Sequence, residues 1–220
     1  LFRSPLNHHV FVFGGQFIAG RGIEDLLEAS RKFLIEKDKI ILDLSKKYHS
    51  QKGIALYYNS QASISYKENK FEKALTASNK AEQIFLSRSD TLHYLKNLRT
   101  KARVLNELNQ PKEEYKCLVK GYNIAVETNY FTEIADISFL LASDFTYLNI
   151  NQSFNYLNKA IYNFKLGKDS VGLAGCYYLL ASIYYDSGQF NKQIEYLKKC
   201  EGLVNEIEDR KIFLLYPLQL

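Results

Sequence analysis

Apolar side chains recur every three or four residues through most of the chain, the spacing that places them on one face of an α-helix. Two series of small residues lie in the middle of these predicted helices, each series repeating at about 40 residues. Small residues at such positions allow two helices to approach closely, so the pattern predicts stacked helical hairpins. The two series are Ala62, Ala102, Ala142 and Ala181, and Ala81, Gly121, Ala160 and Cys200.

A turn is predicted between the two helices of each hairpin. Asn and Gly, which most readily adopt the left-handed conformation that ends a helix, recur there in the register of the first series, as Asn69, Asn109, Asn149 and Gly188. A set of bulky residues has the same spacing as the second series of small residues: Phe71, Pro111, Ile150 and Phe190. The register slips by one residue between Asn149 and Ile150, where a loop tolerates it. Four repeats are therefore predicted, at about 53–90, 91–130, 131–169 and 170–208.

The two ends differ from these repeats. Residues 23–52 are predicted to form a helix or helical hairpin that precedes them, and 209–220 the start of a truncated further helix. Residues 1–22 are predicted to form an irregular leader with a short strand from Val10 to Phe13. Because the chain contains no Met and its last residues are apolar, we expect it to be a piece of a longer protein.

Composition and charge narrow the class of protein. The chain is 46% hydrophobic and 24% charged with 3 prolines, which is typical of a folded domain. No apolar run is long enough to span a bilayer, so no membrane insertion is expected for this segment. The net charge of +5 comes without a Lys/Arg run of five, so nucleic acid is not a favoured partner. The few cysteines suit a reducing compartment and favour a cytoplasmic location, with the periplasm as the alternative if a signal peptide was removed.

Residues with catalytic or metal-binding potential form no recognisable site. Cys117, Cys176 and Cys200 are too widely spaced for a metal motif, and no histidine pair has helical zinc spacing. The segment from Gly14 to Gly22 resembles a phosphate-binding loop but lacks the lysine and hydroxyl residue that such a loop needs. We therefore expect no enzyme, no cofactor and no metal. A nucleotide-using enzyme that depends on this glycine-rich segment is the alternative.

The clearest repeat resembles a tetratricopeptide repeat (TPR) through Tyr177-x2-Leu180-Ala181-x2-Tyr184-Tyr185-x2-Gly188-x-Phe190. Asn69-Lys70-Phe71 with Ala74 and Ala81 is similar, and the resemblance covers about 54–207. It departs from the family at Pro111, Ser138 and Gln193. The repeats are longer than the common 34 residues, and HEAT-like repeats are the structural alternative. The resemblance implies an all-α fold, a right-handed α-α superhelix (solenoid) of stacked helical hairpins.

The resemblance also implies a binding surface, because the first helices of such hairpins line a concave face. The implied groove residues are Asn59, Ser63, Tyr66, Lys96, Arg99, Arg103, Asn106, Phe139, Ser143, Tyr178, Ser182 and Tyr185. Arg99 and Arg103, with Lys96 one turn earlier, would suit an acidic or carboxylate group on a protein or peptide partner. The carboxylate-clamp pattern of chaperone-binding members is not met. An aromatic residue on a helix is also more often part of the core than of a groove.

These features predict a non-catalytic scaffold that binds a protein or peptide on its concave face. Long repeats of this kind also resemble those of bacterial signalling and regulatory proteins. The alternative function is therefore a sensory or regulatory TPR module of a bacterial transcription regulator or signalling kinase.

Overall fold

A computed structural model describes residues 39–206, and 85% of these residues are helical, with no strand among them. This confirms the predicted all-α solenoid of stacked helical hairpins. The predicted strand, the glycine-rich segment and residues 209–220 lie outside the described residues. The helices are α1 over 39–47, α2 (Gln51–Lys67), α3 (Phe71–Ser87), α4 (Thr91–Glu107), α5 (Pro111–Glu127), α6 (Phe131–Phe145), α7 (Ile150–Leu166), α8 (Ser170–Asp186) and α9 (Phe190–Glu206).

The helices from α2 onward pack as hairpins of a first helix (α2, α4, α6 or α8) and the second helix that follows it. Each second helix also packs against the first helix of the next hairpin. Successive first helices contact one another, whereas no pair of second helices between residues 51 and 206 makes comparable contact. The first helices therefore form the inner layer of the stack and the second helices the outer layer. Within residues 39–206 no helix combines the length and hydropathy that a bilayer crossing requires.

Short turns with a left-handed residue at their centre connect most of the helices. Asn69, Asn109 and Gly188 have φ of 58°, 54° and 71°, as their residue types predict. Four further residues in turns share this conformation: His49 between α1 and α2, and Ser89, Asn129 and Lys168 between hairpins. The turn allows the backbone amides after each helix to bond its last carbonyls; for example, the Asn69 amide donates to the Tyr66 carbonyl at 3.0 Å.

The α6–α7 turn is built differently, and the prediction of a left-handed residue at Asn149 is wrong. Asn149 has φ −156°, and its side chain instead accepts a hydrogen bond from the Gln152 amide at 3.2 Å, which caps α7. Helix α6 has 15 residues where the other helices from α2 to α9 have 17, and a longer turn follows it. Tyr147 and Leu148 in this turn are 83% and 80% exposed. The one-residue slip in the repeat register falls in this region.

Small residues lie where the helices pack most closely. The first series is buried throughout, as are Ala81, Gly121 and Ala160, whereas Cys200 is only half-buried. A Cβ added at Gly121 would lie 3.0 Å from Ile137 Cδ1 on the next first helix, so the Ile137 side chain would have to shift to admit a larger residue. Pro111, a departure from the TPR pattern, is the first residue of α5, where proline costs no hydrogen bond.

Buried polar side chains fix the helices against one another. Asn97 on α4 donates through Nδ2 to the Ser78 carbonyl of α3 at 3.0 Å, and Ser78 Oγ donates to Asn97 Oδ1 at 3.0 Å. Ser153 on α7 donates to the Ala142 carbonyl of α6 at 2.7 Å. Because hydrogen bonds need defined geometry, these contacts set the register between helices that apolar packing alone leaves loose.

Candidate functional site

The predicted groove residues all belong to the first helices, so they lie in the inner layer. On each helix they repeat at intervals of three or four residues and form one stripe. We call this stripe the inner face: Asn59, Ser63 and Tyr66 on α2; Lys96, Arg99, Arg103 and Asn106 on α4; Phe139 and Ser143 on α6; Tyr178, Ser182 and Tyr185 on α8.

Arg99 links α4 to α6, because its positive charge is paired with carboxylates of α6. Its guanidinium forms an ion pair with Asp136, and its Nη1 lies 3.4 Å from Glu133 Oε2. Glu133 is only 2% exposed, so Arg99 provides the positive charge that a buried carboxylate needs. The predicted role of Arg99 beside Arg103 in a carboxylate site stays a prediction, and within the fold the charge of Arg99 is already paired.

Phe139 occupies the position of α6 that corresponds to Arg99 of α4, and it too faces the next first helix. A Cβ added at Gly175 of α8 would lie 3.7 Å from the Phe139 ring, which is ordinary van der Waals contact. Asn59, at the same position of α2, has a buried Oδ1. Arg99 and Phe139 of this row therefore contact the next hairpin and are less open to a ligand than the exposed residues of the inner face.

Two further predicted residues are held by carboxylates at the turn end of the inner face. Tyr66 Oη donates to Glu107 Oε1 at 3.3 Å, which links α2 to α4. Asn106 Nδ2 donates to Glu114 Oε2 at 3.1 Å. Burial raises the pKa of Glu114, against the effect of this hydrogen bond. Burial together with the charge of Glu114 raises the pKa of Asp144 on α6 to about 7.

The remaining residues of the inner face are open to solvent to different degrees. Lys96 and Arg103 are exposed on α4, two turns apart, which separates their Cα atoms by about 10 Å. Ser143 of α6 is exposed as well, and Ser63 of α2 is half-buried. The middle of the inner face therefore carries two cations between hydroxyl groups, an arrangement that can bind carboxylates of a partner.

The α8 end of the inner face is aromatic. Tyr178 and Ser182 are half-buried, and Tyr185 is 58% exposed. The Tyr185 ring packs edge-on against Phe190 of α9 at 6.1 Å between centroids, which holds it in place. Tyrosines of this kind offer a partner an apolar surface with a hydroxyl at its edge.

Sequence reasoning overlooked a column of lysines on the second helices. Lys80, Lys120, Lys159 and Lys199 each precede a residue of the second small series, so their periodicity was visible in the sequence. Each ammonium lies over a tyrosine ring, at 5.2 Å from Tyr58, 5.2 Å from Tyr94, 5.1 Å from Tyr122 and 4.5 Å from Tyr196, respectively. Such cation–π contacts orient the lysines along the outer layer.

The cysteines are placed for packing and not for nucleophilic chemistry. Burial raises the pKa of Cys117 and of Cys176 to about 12, so both stay as thiols at neutral pH. Burial also raises the pKa of the half-buried Cys200. Among residues 39–206 no group of three His, Cys, Asp or Glu side chains is close enough to bind a metal ion.

These features define the class of protein as an all-α helical-repeat solenoid. No family model matches the sequence, and the search of curated proteins finds no match. Among solved structures, the chain is similar to BtubC (BKLC) from P. vanneervenii, with a TM-score of 0.67 and 15% sequence identity. The match covers 85% of this chain and 83% of that chain. The similarity establishes a shared fold.

Proposed function

We propose that the chain is a non-catalytic, TPR-like scaffold that binds an acidic protein segment on its inner face. The observation that carries the proposal is the exposure of Lys96 and Arg103 on α4, while Arg99 between them is neutralised by carboxylates of the fold. No carboxylate among residues 39–206 forms an ion pair with either cation, which favours a ligand with carboxylates. The serines on the neighbouring first helices supply hydroxyls beside them.

The arrangement of the hairpins supports the TPR-like assignment. Helices of 17 residues, with α6 at 15, alternate with turns of three or four residues, and small residues lie at the two mid-helix positions that the TPR pattern prescribes. The regulatory alternative depends on domains outside these 220 residues, so it stays a prediction.

Charge reversal on α4 tests the proposal. Peptides selected from a random phage library on the wild-type protein should be rich in Asp and Glu. In fluorescence polarisation with labelled synthetic copies, we expect Lys96→Glu with Arg103→Glu to weaken binding at least tenfold, because two attractive charges become repulsive. Arg99 is left unchanged, since reversing it would place three carboxylates together between α4 and α6.

The matched control is Lys112→Glu with Lys116→Glu, which makes the same change of net charge at exposed positions of α5. The control should bind within twofold of the wild type. The proposal is wrong if both double variants lose the same affinity, since net charge would then explain the binding, or if neither variant loses any.

A further inference from the structure

Aromatic side chains line the grooves of the outer layer, where two second helices flank a first helix. In the α5–α6–α7 groove, Phe145 packs edge-on against Tyr115 at 5.9 Å and stacks on Tyr156 at 5.8 Å between ring centroids. The α7–α8–α9 groove repeats this arrangement one unit later. There Tyr184 contacts Phe154 at 6.0 Å and stacks on Tyr196 at 5.4 Å. We call the latter the α7–α9 groove.

The two grooves differ at several positions, among them Tyr122 of α5 and Tyr177 of α8, which packs against Tyr196 at 6.0 Å and stands where α6 has Ser138. Tyr122 of α5 packs edge-on against Tyr156 at 5.9 Å, and Lys159 Nζ lies 5.1 Å from the centre of the Tyr122 ring. The repeat places Ile161 of α7 at the position of Tyr122. Ile161 and Tyr196, the equivalent of Tyr156, both line an open depression in the α7–α9 groove.

A cavity of about 530 Å³ occupies the α7–α9 groove. Aromatic, aliphatic and polar side chains line it, polar atoms form the larger share of its exposed surface, and its volume is within the range of ligand sites. The residues that matter here are Asn158, Ile161, Lys165, Tyr177, Tyr196 and Lys199. A second cavity of about 520 Å³ lies on the other side of the Phe154–Tyr184 pair and extends the groove to Ile150 and Lys192.

Positive charge predominates around the groove, although Asp186 also lines its second cavity. Lys192 and Lys199 of α9 lie over the rings of Tyr184 and Tyr196, at 4.9 Å and 4.5 Å. Lys165 is exposed at the far end of α7. Glu195 pairs with Lys199 at 2.6 Å and offsets one of these charges. The groove follows α7 from Ile150 to Lys165, about 22 Å, which accommodates about seven residues of extended chain.

We propose that the α7–α9 groove binds an acidic peptide segment that carries an aromatic side chain. The partner's ring takes beside Ile161 the place that the Tyr122 ring has in the preceding groove, between a tyrosine and a lysine. Carboxylates on either side of that ring face Lys165 and Lys192. This site lies in the outer layer and is separate from the inner face.

Defined peptides test this proposal. The probe is fluorescein-labelled Glu-Glu-Asp-Trp-Asp-Glu-Glu, compared with the same peptide with Ala for Trp and with a version that has Lys for each acidic residue. We expect the Trp peptide to bind at least tenfold more tightly than the Ala peptide, and the lysine version not to bind. Ile161→Tyr should weaken binding of the Trp peptide at least tenfold, because the new ring fills the site as Tyr122 does in the other groove. Lys165→Glu should weaken it as well.

Two controls separate this site from other effects. Tyr162→Ile and Lys198→Glu change exposed neighbours on the same helices that do not line the groove. Each should leave the affinity within twofold, and circular dichroism should show unchanged helicity for every variant. The proposal is overturned if Trp and Ala peptides bind equally, if neither binds, or if Ile161→Tyr and Lys165→Glu retain wild-type affinity.

Discussion

At the scale of single residues, Asp144 makes stability depend on pH near neutrality. Its carboxyl is half-buried on α6, and burial together with the charge of Glu114 raises its pKa to about 7. A raised carboxyl pKa means that the folded state binds the proton more tightly than the unfolded state does. The stabilising contribution is therefore complete below about pH 4, where Asp144 is protonated in both states, and is lost as the pH rises through about 7.

Thermal unfolding tests the role of Asp144. We expect the Tm of the wild type to fall between pH 5 and pH 8, and the Tm of Asp144→Asn to fall less, because the amide stays neutral. Asp186→Asn, at an exposed position of α8, is the control and should follow the wild type. Parallel pH profiles for Asp144→Asn and the wild type would contradict this account.

Arg99 and Arg103 show which property of the site the sequence does not predict, namely the ionic partners of its side chains. Both belong to the same stripe of α4, and nothing local distinguishes them. The difference comes from Asp136 and Glu133 of the next hairpin, which pair with one arginine and not with the other. The sequence places a side chain on a helix face, but its ionic partners depend on how adjacent hairpins are offset. That offset is a tertiary property.

At the scale of helices and turns, the repeat pattern predicts most of the structure. Asn69, Asn109 and Gly188 adopt the left-handed conformation because their residue types do so at little cost. Ser89 and Lys168 adopt it as well, which their residue types do not predict. The packed helices on both sides impose the turn there, so the conformation is set by tertiary structure. Asn149 fails as a prediction because Asn is equally suited to capping a helix.

Substitutions in the turns test this interpretation. We expect Gly188→Ala, at φ +71°, to lower the free energy of unfolding by about 1 kcal/mol, since a Cβ disfavours that conformation. Lys168→Gly should raise it by about 0.5 kcal/mol, because relief of strain exceeds the entropy that glycine adds to the unfolded chain. Urea denaturation measures both. Gly202→Ala, where a Cβ meets no atom within 4 Å, is the control for glycine replacement inside a helix and should not destabilise.

At the scale of the whole molecule, the solenoid presents two surfaces with different chemistry. The inner layer offers exposed cations on α4 beside serines and ends in tyrosines, whereas the outer layer offers aromatic grooves with lysines at the rim. The sequence predicts the inner surface through the TPR resemblance. It does not predict the outer grooves, because they depend on which aromatic residues of three different helices meet, and on Ile161 standing where the preceding repeat has Tyr122.

The central claim is that a peptide partner binds the inner face around Lys96 and Arg103. Paramagnetic relaxation by a nitroxide on a phage-selected peptide, read from backbone amide signals of the isotopically labelled protein, locates the ligand directly. The account predicts the strongest signal loss on α4 and α6, near Arg103 and Ser143, and no comparable loss on α3 and α5. Signal loss confined to the second helices would contradict it.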